Sequence, residues 1–509
     1  MIIHVNSQKT VREIDNFWSH IHFHPTDAIE DNWGREILDQ VSRDKAARTV
    51  RIYAMLEDIV TRDEKGKLCF DFTLNDIRID YMSSQGFQLL ICYNFMPRCL
   101  AKNPAQLSKL ERYKGKRVNY SEPNDYAEWQ EVVYQYTQHL VDRYGEATVS
   151  RWYLHCWNEP DILYWLNDKV EYDPEKIVSY IKLYDHFAQG ILRATGKARF
   201  GGPSAAFHMP FFEAFLEHTR SGINQATGEQ GSRLDFVSIH TYANNPAKIA
   251  AGEHPEVRRN LDRIIAYHEV MKKYGYGDKE ILIDEWGASS GGFIGSDRFP
   301  EMAFRDTAYL PAFYARMVDV YLAELAKRGI NVSRTMICLS GQHDLKKDFD
   351  GFRSFFTLNR FPKPIYNGYV MLSRLGNHLL DVSLEAPDPR VGVIPTADEN
   401  GTCSILVYYM DEDFRKTLPN TKVTLQLSGL EGRYRLKHLR LDQATCNSHA
   451  KWAALGKPEN PDQMQREIIR KAGRLDLYVP EEIIEGERYE ESIVMTQNAL
   501  SLLVFEKIT

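Results

Sequence analysis

Residues 151–165 read RWYLHCWNEPDILYW. The run from Trp152 to Trp157 is apolar except for His155 and shows no strict alternation, the pattern of a strand buried on both faces of a parallel sheet. Pro160 has no N–H to give to a ladder, so the strand stops before it. Asn158 and Glu159 therefore stand at a strand end, on a rigid support and facing a cleft. Trp157, Tyr164 and Trp165 predict apolar walls around that carboxyl group, and such walls raise a carboxyl pKa and suit a general acid.

Outward from this stretch, short apolar runs alternate with longer amphipathic segments. Strands are predicted at 18–24, 49–56, 87–95, 151–159, 199–206, 235–242, 280–286 and 335–340. The clearest helix is 125–144, where Trp129, Val132, Val133, Tyr136, Leu140 and Tyr144 fall at helical spacing and Gly145 follows as a stop. Segments 177–192, 257–274 and 307–326 repeat the rhythm, and 365–380 reads as a last helix. Eight strands alternating with helices predict an α/β fold, a (β/α)8 TIM barrel. Beyond it, runs at 402–409, 421–427, 434–441, 474–479 and 499–505 are rich in β-formers and separated by turn residues, which predicts a C-terminal β-sandwich domain. Residues 447–471 are polar and read as a long surface loop. The expected domains are a segment 1–16 packing with the sandwich, a catalytic barrel 17–381 and an accessory β-sandwich 382–509.

Hydrophobic residues make up 43% and charged residues 26%, an ordinary globular balance, and a net charge of −7 without a Lys/Arg tract speaks against nucleic acid or an anionic membrane as partner. Seven cysteines with no CxxC pair fit reduced thiols rather than disulfides or structural zinc. The opening MIIHVNSQKT lacks a signal-peptide core, and no run approaches the roughly 18 apolar residues of a membrane span. The expectation is a cytoplasmic protein without a cofactor; a homo-oligomer built partly through the sandwich is compatible with it.

In a (β/α)8 barrel the chemistry gathers at the C-terminal strand ends. The predicted strands deliver His22 and His24, Tyr53, Tyr93 with Asn94 and Phe95, Asn158 with Glu159, His240 and Tyr242, and Glu285 with Trp286. Glu285 lies in EILIDEWGAS, a second buried run ending in a carboxyl group beside an aromatic. Two carboxyl groups in different environments are what glycosidic cleavage needs, one protonated to give to the leaving oxygen and one ionised to attack the anomeric carbon.

WNEP at 157–160 with a strand-seven Glu followed by an aromatic resembles clan A of the glycoside hydrolases. More narrowly, the chain is similar to glycoside hydrolase family 39, which holds β-xylosidases and α-L-iduronidases. The likeness also rests on NFMPRCLA at 94–101, on Trp129 and Arg143-Tyr144-Gly145, on Gly201-Gly202-Pro203, on 235–240 and on FPKPIY at 361–366. The resemblance implies Glu159 as acid/base and Glu285 as nucleophile of a retaining mechanism, with Asn158 bonding the 2-hydroxyl and Phe95, His240 and Tyr242 lining the sugar site. Its implied substrate is an oligosaccharide or glycoside cleaved from one end, with β-xylosidase-like action first and an α-L-iduronidase-like or arabinosidase activity as alternatives. The chain departs from the xylosidases where it carries Tyr53 near strand two and His343, Asp344, Lys346 and Lys347 after strand eight. Lys347, and Arg353 with it, could meet a uronate carboxylate. Trp33, Trp165 and Trp286 are candidates for stacking on a sugar ring.

A reading from another class takes His22, His24, His208 and His240, with Asp344, as the metal site of an amidohydrolase barrel in which a bound water attacks. Strand four offers no lysine to complete a two-metal site, and both glutamates are left without a role. A third reading is a barrel that binds sugar without cleaving it.

Overall fold

The computed structural model describes residues 1–24, 26–108, 116–341 and 344–508. After β1 (Ile2–Glu13) the chain enters the barrel with β2 (His20–Phe23) and β3 (Thr49–Tyr53), and then makes a two-stranded excursion, β4 (Val60–Arg62) and β5 (Leu68–Phe70). The barrel continues through β6 (Gln88–Tyr93), β7 (Tyr153–Cys156), β8 (Arg199–Ala205), β9 (Phe236–Tyr242), β10 (Ile281–Gly287) and β11 (Val332–Leu339). These strands close in the order β10-β11-β2-β3-β6-β7-β8-β9, every pairing parallel. All eight predicted strands are present. Most are shorter than predicted because the chain turns at the rim: Met55 and Trp157 take left-handed backbone with φ of 54° and 65°.

The helices follow their signals. Asp125 caps the helix Tyr126–Tyr144 by accepting from the Ala127 N–H, and Gly145, at φ 80°, ends it. Helices Pro174–Ala194, Val257–Lys273 and Tyr309–Lys327 match the other three. The closing helix is shorter than expected, Pro364–Ser373. Gly376 makes the turn after it, where a Cβ would lie 2.1 Å from the Ala397 carbonyl oxygen, and β12 (His378–Glu385) begins at once. The expected boundary at 381 therefore falls inside a strand.

The barrel interior changes character from bottom to top. Leu90, Tyr153, Phe236, Leu282 and Met336 form a separate apolar cluster at its base. Above them β7, β9 and β10, with β3 beside them, carry His155, Ser238, Asp284 and Arg51, all buried. The plug seals one end, so the polar groups open only toward the other.

The C-terminal part adds β13 (Val391–Ala397), β14 (Cys403–Tyr409), β15 (Thr421–Ser428), β16 (Arg433–Leu441), β17 (Glu482–Glu485), β18 (Arg488–Met495) and β19 (Ala499–Ile508). With β1 and β12 they make one continuous mixed sheet of nine strands, order β17-β16-β19-β14-β13-β12-β1-β15-β18. β1 runs antiparallel to β12 and parallel to β15, with its register broken between Val5 and Thr10. Both faces of β14 are buried. Ile405 and Val407 join Ile3, Val5, Val423 and Leu425 in the sheet's own core, whereas Leu406 and Tyr408, with Ile394, Leu500 and Leu502, join the core shared with the barrel. Two expectations fail here. Residues 474–479 form no strand beyond a bridge of Leu477 to Leu439. The polar stretch 447–471 carries two helices, Ser448–Ala454 capped by Asn447 and Gln463–Ala472 opened by an Asp462/Gln465 capping box. Trp452 and Ile469 bury against Phe349 and Phe361. Among the described residues no helix is long and apolar enough to cross a membrane.

Because Leu406 is fully buried between sheet and barrel, Leu406→Ala is expected to cost about 2–5 kcal/mol. Val494→Ala, on an exposed position of β18, is expected to stay within about 0.5 kcal/mol. Urea unfolding of both variants beside the parent checks the difference.

Candidate active site

The site is built on Arg51, fully buried on β3. Its Nε lies 3.2 Å from Asp284 Oδ2 and donates to His155 Nε2 at 3.3 Å. Its Nη1 donates to His22 Nδ1 at 2.9 Å and to Glu285 Oε1 at 3.1 Å. Its Nη2 donates to Asn158 Oδ1 at 2.6 Å and to Ser204 Oγ at 3.2 Å. One planar fork thus ties β3 to β2, β7, β8 and β10 and to the turn after β7.

Two irregularities make this convergence possible. In β10 the register slips between Ile283 and Glu285 relative to β9, and again relative to β11. A strand that alternates strictly would send Asp284 and Glu285 to opposite faces; the bulge turns both inward. In β8 the register slips between Pro203 and Ala205, and Ser204 sits at φ 56°. Its Oγ then donates to Asp284 Oδ2 at 2.6 Å and accepts from Arg51 and from His240 Nε2 at 3.0 Å. That uses the one proton and both lone pairs of the hydroxyl.

Above this floor stand two glutamates. Tyr242 O–H donates to Glu285 Oε2 at 2.7 Å while Arg51 holds Oε1. His240 Nδ1 lies 3.0 Å from Glu159 Oε1 and 3.9 Å from Glu285 Oε2. One oxygen of Glu159, one of Glu285 and a His240 nitrogen all lie within 4.8 Å of one another.

Their electrostatics diverge. Burial raises the Glu159 carboxyl, and the charge of Glu285 adds to the rise against the opposing pull of His240. Burial acts on Glu285 in the same sense, but His240, His22 and Arg51 outweigh it and hold that carboxyl well below the usual range. Asp284 is likewise buried and likewise held low, by Arg51 first and His240 next. Burial would strip the proton from His240, yet Glu285 and Asp284 raise it to about 10. Burial and the Arg51 charge lower His22 to about 4, so it is neutral and accepts from the guanidinium. On the floor two cations, Arg51 and His240, face two anions, Asp284 and Glu285, and Arg353 adds a further positive charge at the wall. Burial and the Glu285 charge favour the protonated form of Glu159.

The loop that carries Glu159 is pinned from below. Asp161 accepts from the backbone N–H groups of Ala206, Phe207 and His208, and Glu159 N–H donates to the Ser204 carbonyl. Trp157 Nε1 donates to the Tyr164 carbonyl at 2.7 Å. The cleft encloses about 90 Å³ and is lined by His24, Tyr53, Phe95, Asn158, Glu159, Tyr164, Tyr242 and Glu285, with Ser290, Gly291, Gly292, Phe293, Cys338 and Arg353 on the far side. His240 is the link beneath its two carboxyl groups.

Four residues expected at the sugar site fall outside the cleft. Trp286 is fully buried, follows Glu285 onto the outer face of β10 and packs on Tyr314 at 4.9 Å. Trp33 and Trp165 are buried as well, Trp165 against Trp157 at 4.9 Å, so neither offers a face to a sugar. Lys347 is exposed and is not among the described residues lining the cleft; its backbone N–H turns to Asp350. Arg353 comes to the wall instead. His343 lies outside the described residues. The histidine metal set also disperses, since His208 bonds the Val170 carbonyl at the start of helix Met209–Ser221, and Asp344 closes a local turn on Gly341 N–H. Among the described residues the groups close enough to share an ion are His22–Glu285–Cys338 and Glu159–His240–Glu285, each with one histidine and the first with Arg51 wedged against it. Arg51, Ser204 and Asp284 were not singled out from the sequence. An arginine inside the buried run TVRIY, and a second acid beside Glu285, were their visible signals.

A closed parallel barrel whose strand ends bring two carboxyl groups together over a charged floor has the design of a glycoside hydrolase. The model of Glycosyl hydrolases family 39 matches residues 1–482, and the chain belongs to that family. It is 24% identical over 486 residues to a β-xylosidase of Caldicellulosiruptor saccharolyticus, covering 93% of this chain and 92% of that one. It is 23% identical over 512 aligned positions to the α-L-iduronidase of Canis lupus familiaris, covering 92% and 73%. Its fold matches a monomeric β-xylosidase from Caulobacter crescentus with TM-score 0.82 at 18% identity over the whole of both chains. It matches a bacterial orthologue of human α-L-iduronidase with TM-score 0.81 at 20% identity, over all of this chain and 84% of that one.

Removing one member of a buried ion pair strands the other, at about 3–5 kcal/mol. Arg51→Met and Asp284→Asn are each expected to lower stability by that order, and the double variant by clearly less than the sum, since neither charge is then left alone. Urea unfolding at pH 7 of the four proteins of the cycle measures the coupling.

Proposed function

We propose that the protein is a retaining glycosidase that removes a terminal sugar from an oligosaccharide by double displacement, with a β-xyloside as the first candidate substrate. The observation that carries this reading is the pair of glutamates, with carboxyl oxygens within 4.8 Å and opposite protonation preferences. A retaining site holds its two carboxyl groups about 5–5.5 Å apart, too close for a water to stand between nucleophile and sugar.

In this reading Glu285, ionised and aimed by Arg51 and Tyr242, attacks the anomeric carbon while Glu159 gives its proton to the leaving oxygen. The covalent ester removes the Glu285 charge, and with it the repulsion that helped keep Glu159 protonated. Glu159 then ionises, stabilised by His240 beside it, and takes the proton from the water that hydrolyses the ester. Asn158 spends its Oδ1 on Arg51, which leaves its amide N–H groups for the sugar 2-hydroxyl. Phe95, Tyr53 and His24 supply an aromatic wall. The seven free cysteines support the expectation of a reducing, cytoplasmic setting.

One observation favours a uronide as a second reading. Arg353 donates through Nη1 to Tyr242 O–H, and its guanidinium lies 4.9 Å over the Tyr242 ring, but its buried Nε has no hydrogen-bond partner among the described residues. A sugar carboxylate would supply one. A panel of aryl glycosides including a β-xyloside and an α-L-iduronide separates the two. Arg353→Met is expected to cost the uronide at least about 100-fold in kcat/KM and the xyloside far less, if the uronide is the substrate.

On the cleaved substrate, Glu285→Ala is expected to abolish turnover and to be rescued by azide with inverted product. Glu159→Ala is expected to lose about 10²–10⁴-fold on a poor leaving group. Activity in both variants, or loss of wild-type activity on chelation by EDTA, would overturn the reading. The pH profile of kcat/KM follows the same shifts. Glu159 must be protonated, so activity falls as pH rises through its raised pKa. Glu285 must be ionised, and its depressed pKa puts the acid limb well below the usual carboxylate range. A broad optimum on the acid side of neutrality is expected, and Glu159→Ala should lose the alkaline limb.

A further inference from the structure

Arg305 is a second buried guanidinium, 1% exposed, at the end of the 3-10 helix Pro300–Asp306 and away from the two glutamates. Among the described residues no carboxylate oxygen lies within 4.0 Å of it; its side chain is surrounded by oxygen dipoles instead. Nη2 donates to Ser289 Oγ at 2.7 Å, to the Ser290 carbonyl at 2.6 Å and to the Ser289 carbonyl at 3.4 Å. Nη1 donates to the carbonyls of Ile294 at 3.0 Å, Gly351 at 3.2 Å and Gly291 at 3.3 Å. A single planar group thus gathers the loop that follows Glu285 and the turn that precedes Arg353.

The next residue completes the grip. Asp306 accepts from Gly351 N–H at 2.8 Å and pairs with the buried Lys363, so the Gly351 peptide is held by its oxygen through Arg305 and by its nitrogen through Asp306. Gly351 has φ 78°, and a Cβ there would lie 2.9 Å from the Met302 carbonyl oxygen, so the turn admits only glycine at this approach. Two residues on, the Arg353 guanidinium lies flat against Gly292, where a Cβ would lie 2.4 Å from Nη2. Ser340 ties the two sides together, its Oγ donating to the Gly292 carbonyl at 2.7 Å and its N–H to the Arg353 carbonyl at 2.5 Å. Gly291, Gly292, Phe293 and Arg353 are the cleft wall opposite Phe95 and Asn158.

We infer that Arg305 is a positioning residue: with Asp306 it fixes the Ser290–Phe293 wall and Arg353 at the distance from Glu285 that one sugar ring requires, and so sets substrate binding rather than bond cleavage. The inference rests on the glycosidase reading for its kinetic side only. Without the fork, Ser290, Gly291 and Ile294 lose their tie to Gly351 and the two sides stay joined through Ser340, while Glu159, Glu285, His240 and Arg51 keep all their partners.

The test uses the full chain carrying Arg305→Met, Arg305→Lys or Gly292→Ala, on the aryl glycoside the wild type cleaves. Arg305→Met is expected to raise KM about 10-fold or more with kcat within about threefold, the pattern of lost uniform binding. Arg305→Lys, with three donors but no fork, should fall between. The pH profile should stay in place. Gly292→Ala leaves Arg305 intact yet must displace the Arg353 guanidinium, so it should reproduce the KM rise even if Arg305→Met fails to fold. An unchanged KM in Arg305→Lys or Gly292→Ala, or a fall in kcat with a shifted pH profile, overturns the inference. Amide hydrogen exchange on the unliganded proteins decides independently of activity. Exchange in 289–296 and 350–354 should quicken about 10-fold or more in an Arg305 variant, with the β7 segment Tyr153–Cys156 unchanged. Equal exchange in those loops overturns the inference. A wild type that cleaves no glycoside sinks the glycosidase reading but leaves this measurement standing.

Discussion

Arg51 and Asp284, both fully buried and 3.2 Å apart, impose the constraint from which the rest of the site follows. Two ions out of water cost several kcal/mol each, and a pair of apolar side chains of similar volume would make a more stable barrel. What offsets the cost is that every donor of the guanidinium and both sides of Ser204 are used, while Asp284 Oδ1, without a hydrogen bond among the described residues, faces His240 Nε2 at 3.6 Å. What the barrel gains is a fixed potential under the strand ends. With Arg51 cancelled by Asp284, the imidazolium of His240 is free to balance one further carboxylate, and Glu285, nearer the guanidinium, takes that role. Burial and the Glu285 charge therefore hold the Glu159 carboxyl above its usual range although it stands beside a cation.

The route from chain to potential runs through local backbone irregularities rather than through regular strands. A regular β10 could present Asp284 or Glu285 to the interior but not both. The bulge between Ile283 and Glu285 puts one acid in the floor and the next in the cleft. The slip in β8 does the same service for Ser204, which becomes the only hydroxyl described here that touches Arg51, Asp284 and His240 together. Meanwhile the base of the barrel is apolar, filled by Leu90, Tyr153, Phe236, Leu282 and Met336.

This division explains what could be read in the sequence. The eight strands, their helices and the two glutamates were legible, because buried runs ending at Pro160 or at Trp286 announce strand ends, and strand ends are where a barrel puts its chemistry. The partners of Asn158, His240 and Tyr242 were not, since a bulge leaves no mark in residue types. Arg51 could have been noticed as a charge inside a buried run, but nothing in TVRIY says which strands it would reach. Trp286 misled for a simpler reason: a residue next to an inward one in a strand faces outward, and the helix Tyr309–Lys327 waits there with Tyr314. In the C-terminal part, β1 and β12 escaped detection because their exposed halves are polar, and the helices within 447–471 because each buries only one or two side chains on Phe349 and Phe361.

The backbone around the glutamates is held in conformations it would not choose. Trp157, Glu159 and Ser204 all have positive φ, 65°, 48° and 56°, the left-handed region that side chains enter at a cost of about 1 kcal/mol or more each. Such residues persist only where the surroundings over-determine them, and here they do. Asp161 holds three consecutive amides, Cys92 Sγ donates to the Trp157 carbonyl, and Ser204 O accepts from Glu159 N–H. A carboxyl group on a relaxed loop would answer a change in its neighbour's charge by moving away. Pinned beside Glu285 and His240, it answers such a change by shifting its protonation rather than its position.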